Sequence, residues 1–139
     1  MLTRAVFALV LVLGTAAGAA AGEIAVLALG LADHALVQEE LETGTAPPVP
    51  RFNTAGVAYV LAADLKKGDV VEVTLVLDGQ PLMRNTETLT EARERHLLQT
   101  GKGGVPAGGW PEGKYQAIVK ITRDGKTLIE QESTPIPIE

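Results

Sequence analysis

The sequence predicts an all-β fold: an antiparallel β-sandwich of about seven strands that follows an N-terminal signal peptide. Three observations carry this expectation. Two runs, Gly68 to Leu82 and Gly113 to Leu128, each enter from a glycine, alternate apolar with polar residues, and leave through Asp-Gly, at Asp78-Gly79 and Asp124-Gly125. That is the pattern of a strand with one face in a core, turning back through a tight hairpin whose central residues need positive φ. The second observation is size: about 118 residues after the leader, without a cysteine, suit one hydrophobic core that needs no staples. The third is the end of the chain, Pro135-Ile136-Pro137-Ile138, where prolines at alternate positions fit only a strand at a sheet edge.

The leader comes first. Within residues 1 to 22 the only charge is Arg4, Ala5 to Leu13 is apolar, and Ala19-Ala20-Ala21 offers small residues to a signal peptidase. Residues 1–21 therefore read as a secretory signal peptide cut after Ala21. The competing reading is an uncleaved anchor, against which stands the shortness of the apolar part beside the ~20 residues a spanning helix needs. Removal takes the net charge from −5 to −6, since Arg4 leaves. A cysteine-free exported chain points to a bacterial envelope or secreted protein, so the expected location is periplasmic or secreted. An acidic domain lacks the basic footprint that phosphate backbones demand, which argues against nucleic acid; a membrane enters only through an uncleaved leader.

Residues 22–50 read as a lead-in strand and a Pro-rich linker. Ile24 to Leu29 is an apolar run closed by Gly30, a buried or edge strand, and Ala35 to Leu41 fits either a strand or one helical turn. Thr45-Ala46-Pro47-Pro48-Val49-Pro50 lacks ladder N–H groups at three positions and forms an extended linker. Residues 51–139 are expected to hold the sandwich. Phe52 and the run Val57 to Ala62 lead through Lys66-Lys67-Gly68-Asp69 into the first repeated pattern. There Val71, Val73, Leu75 and Leu77 share one face; Val76 interrupts the polar face and suggests a partly covered outer surface. Thr90 to Gln99 carries good helix formers behind a threonine N-cap, yet lies between strands, and is read as a strand. Gly101 to Gly109 holds five glycines in nine residues, costly to order unless something binds it. Beyond it, Tyr115, Ala117, Val119 and Ile121 alternate with polar residues.

The stretch Trp110-Pro111-Glu112-Gly113-Lys114-Tyr115-Gln116-Ala117-Ile118-Val119 resembles the corner before strand F of immunoglobulin-like and fibronectin type III sandwiches, where a glycine turn leads into a tyrosine. The resemblance spans roughly Phe52 to Ile138 if the two Asp-Gly hairpins are taken as C to C′ and F to G. It implies that the Tyr115 hydroxyl bonds back to main chain at the corner. The chain departs from antibody domains in lacking both the cysteine pair and a strand-C tryptophan, which leaves the broader sandwich class found in many bacterial envelope modules. That fold hosts unrelated functions, so the resemblance implies a class of role and no ligand.

Residues suited to chemistry are few and scattered. Gly108 to Tyr115 nearly spells the phosphate-binding G-x-x-x-x-G-K-[ST], but Tyr115 replaces the magnesium-binding hydroxyl and the residues that follow are strand-like; nucleotide binding is not expected. His34 and His96 stand 62 positions apart with Asp33, Glu91 and Glu94 near them, a spacing that enforces no metal site. Ser133, the only serine, has neither a neighbouring His nor a glycine elbow. Glu39 and Glu40, if in a strand, would point to opposite faces. No enzyme, cofactor or metal is therefore expected.

Trp110, the only tryptophan, is the one feature with a binding flavour; the simpler reading makes its indole a lid on the core beside Tyr115. The expected function is a non-catalytic exported module that binds a protein partner of the cell envelope through Trp110 and the loop residues Lys102, Gly103 and Gly104, with an open sheet edge as a further surface. The alternative is a carbohydrate-binding module, which would draw on several exposed aromatics from Phe52, Tyr59, Trp110 and Tyr115 once Phe7 has left with the leader.

Overall fold

The computed structural model describes residues 23–102 and 108–138, so the leader expected over residues 1–21 and the loop residues Gly103 and Gly104 lie outside the described residues. Eight strands and one short helix follow in the order β1 (Ala25–Ala32), α1 (Gln38–Glu42), β2 (Gly56–Leu65), β3 (Val70–Leu77), β4 (Gln80–Thr88), β5 (Arg93–Lys102), β6 (Gly113–Arg123), β7 (Lys126–Glu132) and β8 (Ile136–Ile138). They form two antiparallel sheets, one ordered β1-β2-β5 and the other β4-β3-β6-β7, with β8 beside the start of β6. The ambiguous stretch after Thr90 is a strand, because β2 offers it a full antiparallel register from Leu65↔Arg93 to Gly56↔Lys102. The short run before Glu42 resolves as helix.

The core lies where the alternation of the two repeated runs meets the first sheet. Val71, Val73 and Leu75 pair across the ladder with Ile121, Val119 and Ala117, so all six project from the same face of β3 and β6. Against them the first sheet sets Leu31, Ala58, Val60, Ala62 and Leu98, and all eleven residues are buried in one cluster. Each large aliphatic side chain buried in this way contributes roughly 1.5–3 kcal/mol. Thr74 and Val76 are buried too, on the outer face of a strand hemmed in by β4 and β6. Both hairpins turn as their dipeptides require, with φ of 48° and 82° at Asp78-Gly79 and of 52° and 79° at Asp124-Gly125.

The run read as a lead-in is the edge strand of the first sheet. It contains a bulge: Val26 pairs with Ala62 and Ala28 with Leu61, leaving Leu27 as one extra residue. The insertion shifts the parity of the strand. Ile24 and Val26 face the core before it, and Leu29 and Leu31 face the core after it. Unbroken alternation would have placed Ala28 and Gly30 there. The small residues instead face outward, where Tyr59, Leu61, Leu36 and Leu41 form a second cluster with Ala32. The closing prolines behave as expected: β8 pairs only with Gly113, Lys114 and Tyr115 of β6, at the edge of its sheet.

Candidate functional site

The end of the sandwich that carries the glycine-rich loop is built on two buried aromatics. Tyr115 is 1% exposed and donates its hydroxyl to the Pro111 carbonyl, the back-bond expected of a tyrosine at this corner. Burial, reinforced by nearby Asp78, pushes its phenol above the usual range. Trp110 meets it edge to face, with ring centroids 5.9 Å apart and planes at 81°, a favoured aromatic geometry. The indole N–H donates to the Thr54 carbonyl at 2.8 Å, and Trp110 is only 6% exposed. Its position is that of a lid on the core and not of an exposed anchor. Gly56 makes this possible, since a Cβ there would come within 2.6 Å of the indole.

Above that base sits Phe52, 48% exposed, which sequence reasoning counted only among the aromatics open to a carbohydrate-binding module and not in the expected protein-binding site. Its carbonyl accepts the Trp110 backbone N–H at 3.0 Å, tying the loop that follows Pro50 to the one that follows Gly108. Gly109, at φ +85°, packs so closely that a Cβ would lie 2.5 Å from the phenyl ring. Phe52 also walls an open groove of about 450 Å³ with Pro50, Arg51, Asn53, Pro137 and Ile138. The signal that marks Phe52 in the sequence is its place after Pro47-Pro48-Val49-Pro50, outside any alternating run. Lys102 closes β5 at this same end, one residue from Gly101, which pairs with Val57.

A second surface is the outer face of the first sheet, covered by the segment around α1. Leu36 and Leu41 bury themselves on Tyr59 and Leu61. The Gln99 amide clamps the Leu36 backbone from both sides, accepting its N–H at 2.9 Å and donating to its carbonyl at 3.0 Å. His34 sits between two carboxylates, Nδ1 at 2.8 Å from Asp33 and Nε2 at 2.6 Å from Glu40. Hydrogen bonds first to Asp33 and then to Glu40 raise the imidazole pKa above its usual value. Glu40 is held low, chiefly by the Val37 N–H on its other oxygen and then by His34.

The remaining histidine, His96, is buried and lies 3.0 Å from Glu87, far along the chain from the His34 cluster. Among the described residues no group of three or more His, Asp or Glu side chains is arranged to hold a metal ion. Residues after the P-loop-like stretch form β6 and not a helix, so no helix N-terminus faces that loop. Ser133 spends its hydroxyl on the Ala117 N–H at 2.9 Å, as a ladder substitute beyond β7.

Sequence reasoning missed one ion pair entirely. Asp69, fully buried, accepts both Arg123 Nε at 2.7 Å and an Arg123 terminal nitrogen at 2.8 Å, and also the Lys66 N–H at 2.8 Å. The bidentate guanidinium holds the Asp69 carboxyl below the usual range against the opposing effect of burial, and the Lys66 N–H assists. This pair locks the turn between β2 and β3 to the end of β6. No protein-family model matches the chain, and no curated protein matches it.

Proposed function

We propose that this chain is a non-catalytic, exported, immunoglobulin-like module that binds another protein of the cell envelope through the end of the sandwich around Phe52. The sheet order supports the finer identity: β1-β2-β5 opposite β4-β3-β6-β7 corresponds to strands A, B and E opposite C′, C, F and G. The bond from Tyr115 to Pro111 supports it as well.

The observation that carries the binding role is Phe52, a half-exposed ring beside the glycine-rich loop, seated on a base immobilised by Trp110 and Tyr115. A large apolar ring held in place at the edge of a groove loses little conformational entropy when a partner covers it, which is how interface anchors act. The glycan-binding alternative would use several exposed aromatics in a line, whereas Tyr59, Trp110 and Tyr115 are buried and Phe52 stands without an aromatic companion among the described residues.

The test is a cross-linked pull-down from envelope extract with the native protein and the Phe52→Ser variant. The reading expects a protein recovered by the native chain and lost with the variant, while the thermal midpoint stays within a few degrees. Recovery unaffected by the substitution would refute it.

A further inference from the structure

The four edges of the two sheets are not alike. β4 carries Arg84, Glu87 and Pro81; β5 carries Arg93, Glu94 and Arg95; β7 carries Lys126, Glu130 and Glu132. Charged side chains and prolines are the usual protection of an edge against pairing with another chain. β1, with the sequence Ala-Val-Leu-Ala-Leu-Gly-Leu-Ala, has none over eight residues. Its inner side pairs with β2. Among the described residues no strand pairs with its outer side; just past the strand, the Asp33 N–H donates to the Pro48 carbonyl.

The surroundings of β1 are acidic at both ends. Glu23 stands two residues before it, and directly after it the two carboxylates of Asp33 and Glu40 flank the single imidazole of His34, a cluster that stays net negative even with that ring protonated. The exposed bulge residue Leu27 shares a surface groove of about 590 Å³ with Leu41, Leu61, Glu42, Glu94 and Arg95, in which carboxylates outnumber the one cation. A second copy of this chain, paired antiparallel about a two-fold axis, would set Glu23 of one copy toward Asp33 of the other. Like charges opposed in this way weaken pairing.

We infer that the outer edge of β1 receives an extended, uncharged strand of a partner protein that carries lysine or arginine at its ends, extending the first sheet by one strand. Main-chain hydrogen bonds to the unpaired edge supply affinity, and the flanking cations select against other apolar strands and against self-pairing. The inference rests on the protein-binding reading for the class of partner but uses a surface that does not include Phe52.

The experiment titrates the exported protein with a labelled peptide of alternating valine and threonine flanked by lysines, read by fluorescence anisotropy and by hydrogen exchange. Saturable binding is expected, with new amide protection confined to residues 25–32, unchanged in Phe52→Ser. Glutamates in place of the flanking lysines, N-methylation of the peptide amides along one edge, or Leu27→Lys should each weaken binding at least tenfold. Because the exchange readout needs no variant, a misfolded Leu27→Lys protein leaves the test intact. Absent binding, equal binding of the N-methylated peptide, protection on β7, or β1 protection that grows with protein concentration alone would overturn the inference, and none of these would touch the result at Phe52.

Discussion

At the scale of single residues, two charged clusters respond to pH in opposite senses. Asp69 has a native pKa below its usual value of about 3.9, so its contribution to stability is full above that pH and is lost as pH falls through the lower native value. Arg123→Ala leaves a fully buried carboxylate with the Lys66 N–H as its remaining partner. Urea unfolding at neutral pH should show a loss of about 3 kcal/mol, and the variant should lose less than the native protein on acidification. A loss under ~0.5 kcal/mol would mean the pair does not hold the turn. His34 has a raised native pKa, so the stability it contributes is present below about pH 6.5 and is lost as pH rises through the native value. Glu40, held low, is charged throughout that range. An imidazole titration followed by NMR should therefore place His34 above the usual histidine value, and Glu40→Gln should bring it down. An unshifted midpoint in that variant would remove Glu40 from the clamp.

At the scale of elements, the most specific expectation concerns the bulge in β1. Leu27 is the extra residue between Val26↔Ala62 and Ala28↔Leu61, and its side chain is half exposed. Deleting Leu27 joins the two registers without moving Leu29 or Leu31 from the core, so the thermal midpoint should change by only a few degrees. Collapse of the fold on this deletion would show that the register is wrong. The contrast with the hairpins explains what could be read in advance. Asp78-Gly79 and Asp124-Gly125 announce themselves because turn geometry is a local property, and the alternation around Val73 and Val119 announces a face because its period is local too. The bulge escapes such reading: Ile24 to Leu31 is apolar at every position, and nothing in a continuous apolar run says where parity changes. The partnership of Asp69 with Arg123 escapes it as well, since 54 positions separate the two and only the packing of β3 on β6 brings them together. Phe52 was hidden for a related reason, because exposure of a loop aromatic depends on what Trp110 occupies beneath it.

At the scale of the whole molecule, the two sheets share one core, yet the ends and edges of the sandwich differ in chemistry. Trp110 and Tyr115 close the core at one end and leave Phe52 outside it. Charges guard three of the edges and leave β1 plain. The proposed role rests on surfaces, and those surfaces exist only if the strand order is right. β5 decides that order, because its residues would equally suit a helix when taken alone, and a helix there would strip β2 of a partner. The most direct measurement is backbone NMR of the protein, combining carbon secondary shifts over residues 93–102 with cross-strand proton contacts. Pairing of β5 on β2 and of β3 on β6 predicts extended shifts there and contacts joining Val60 to Leu98 and Val73 to Val119. Helical shifts over the same residues, or absence of the contact between β2 and β5, would contradict it.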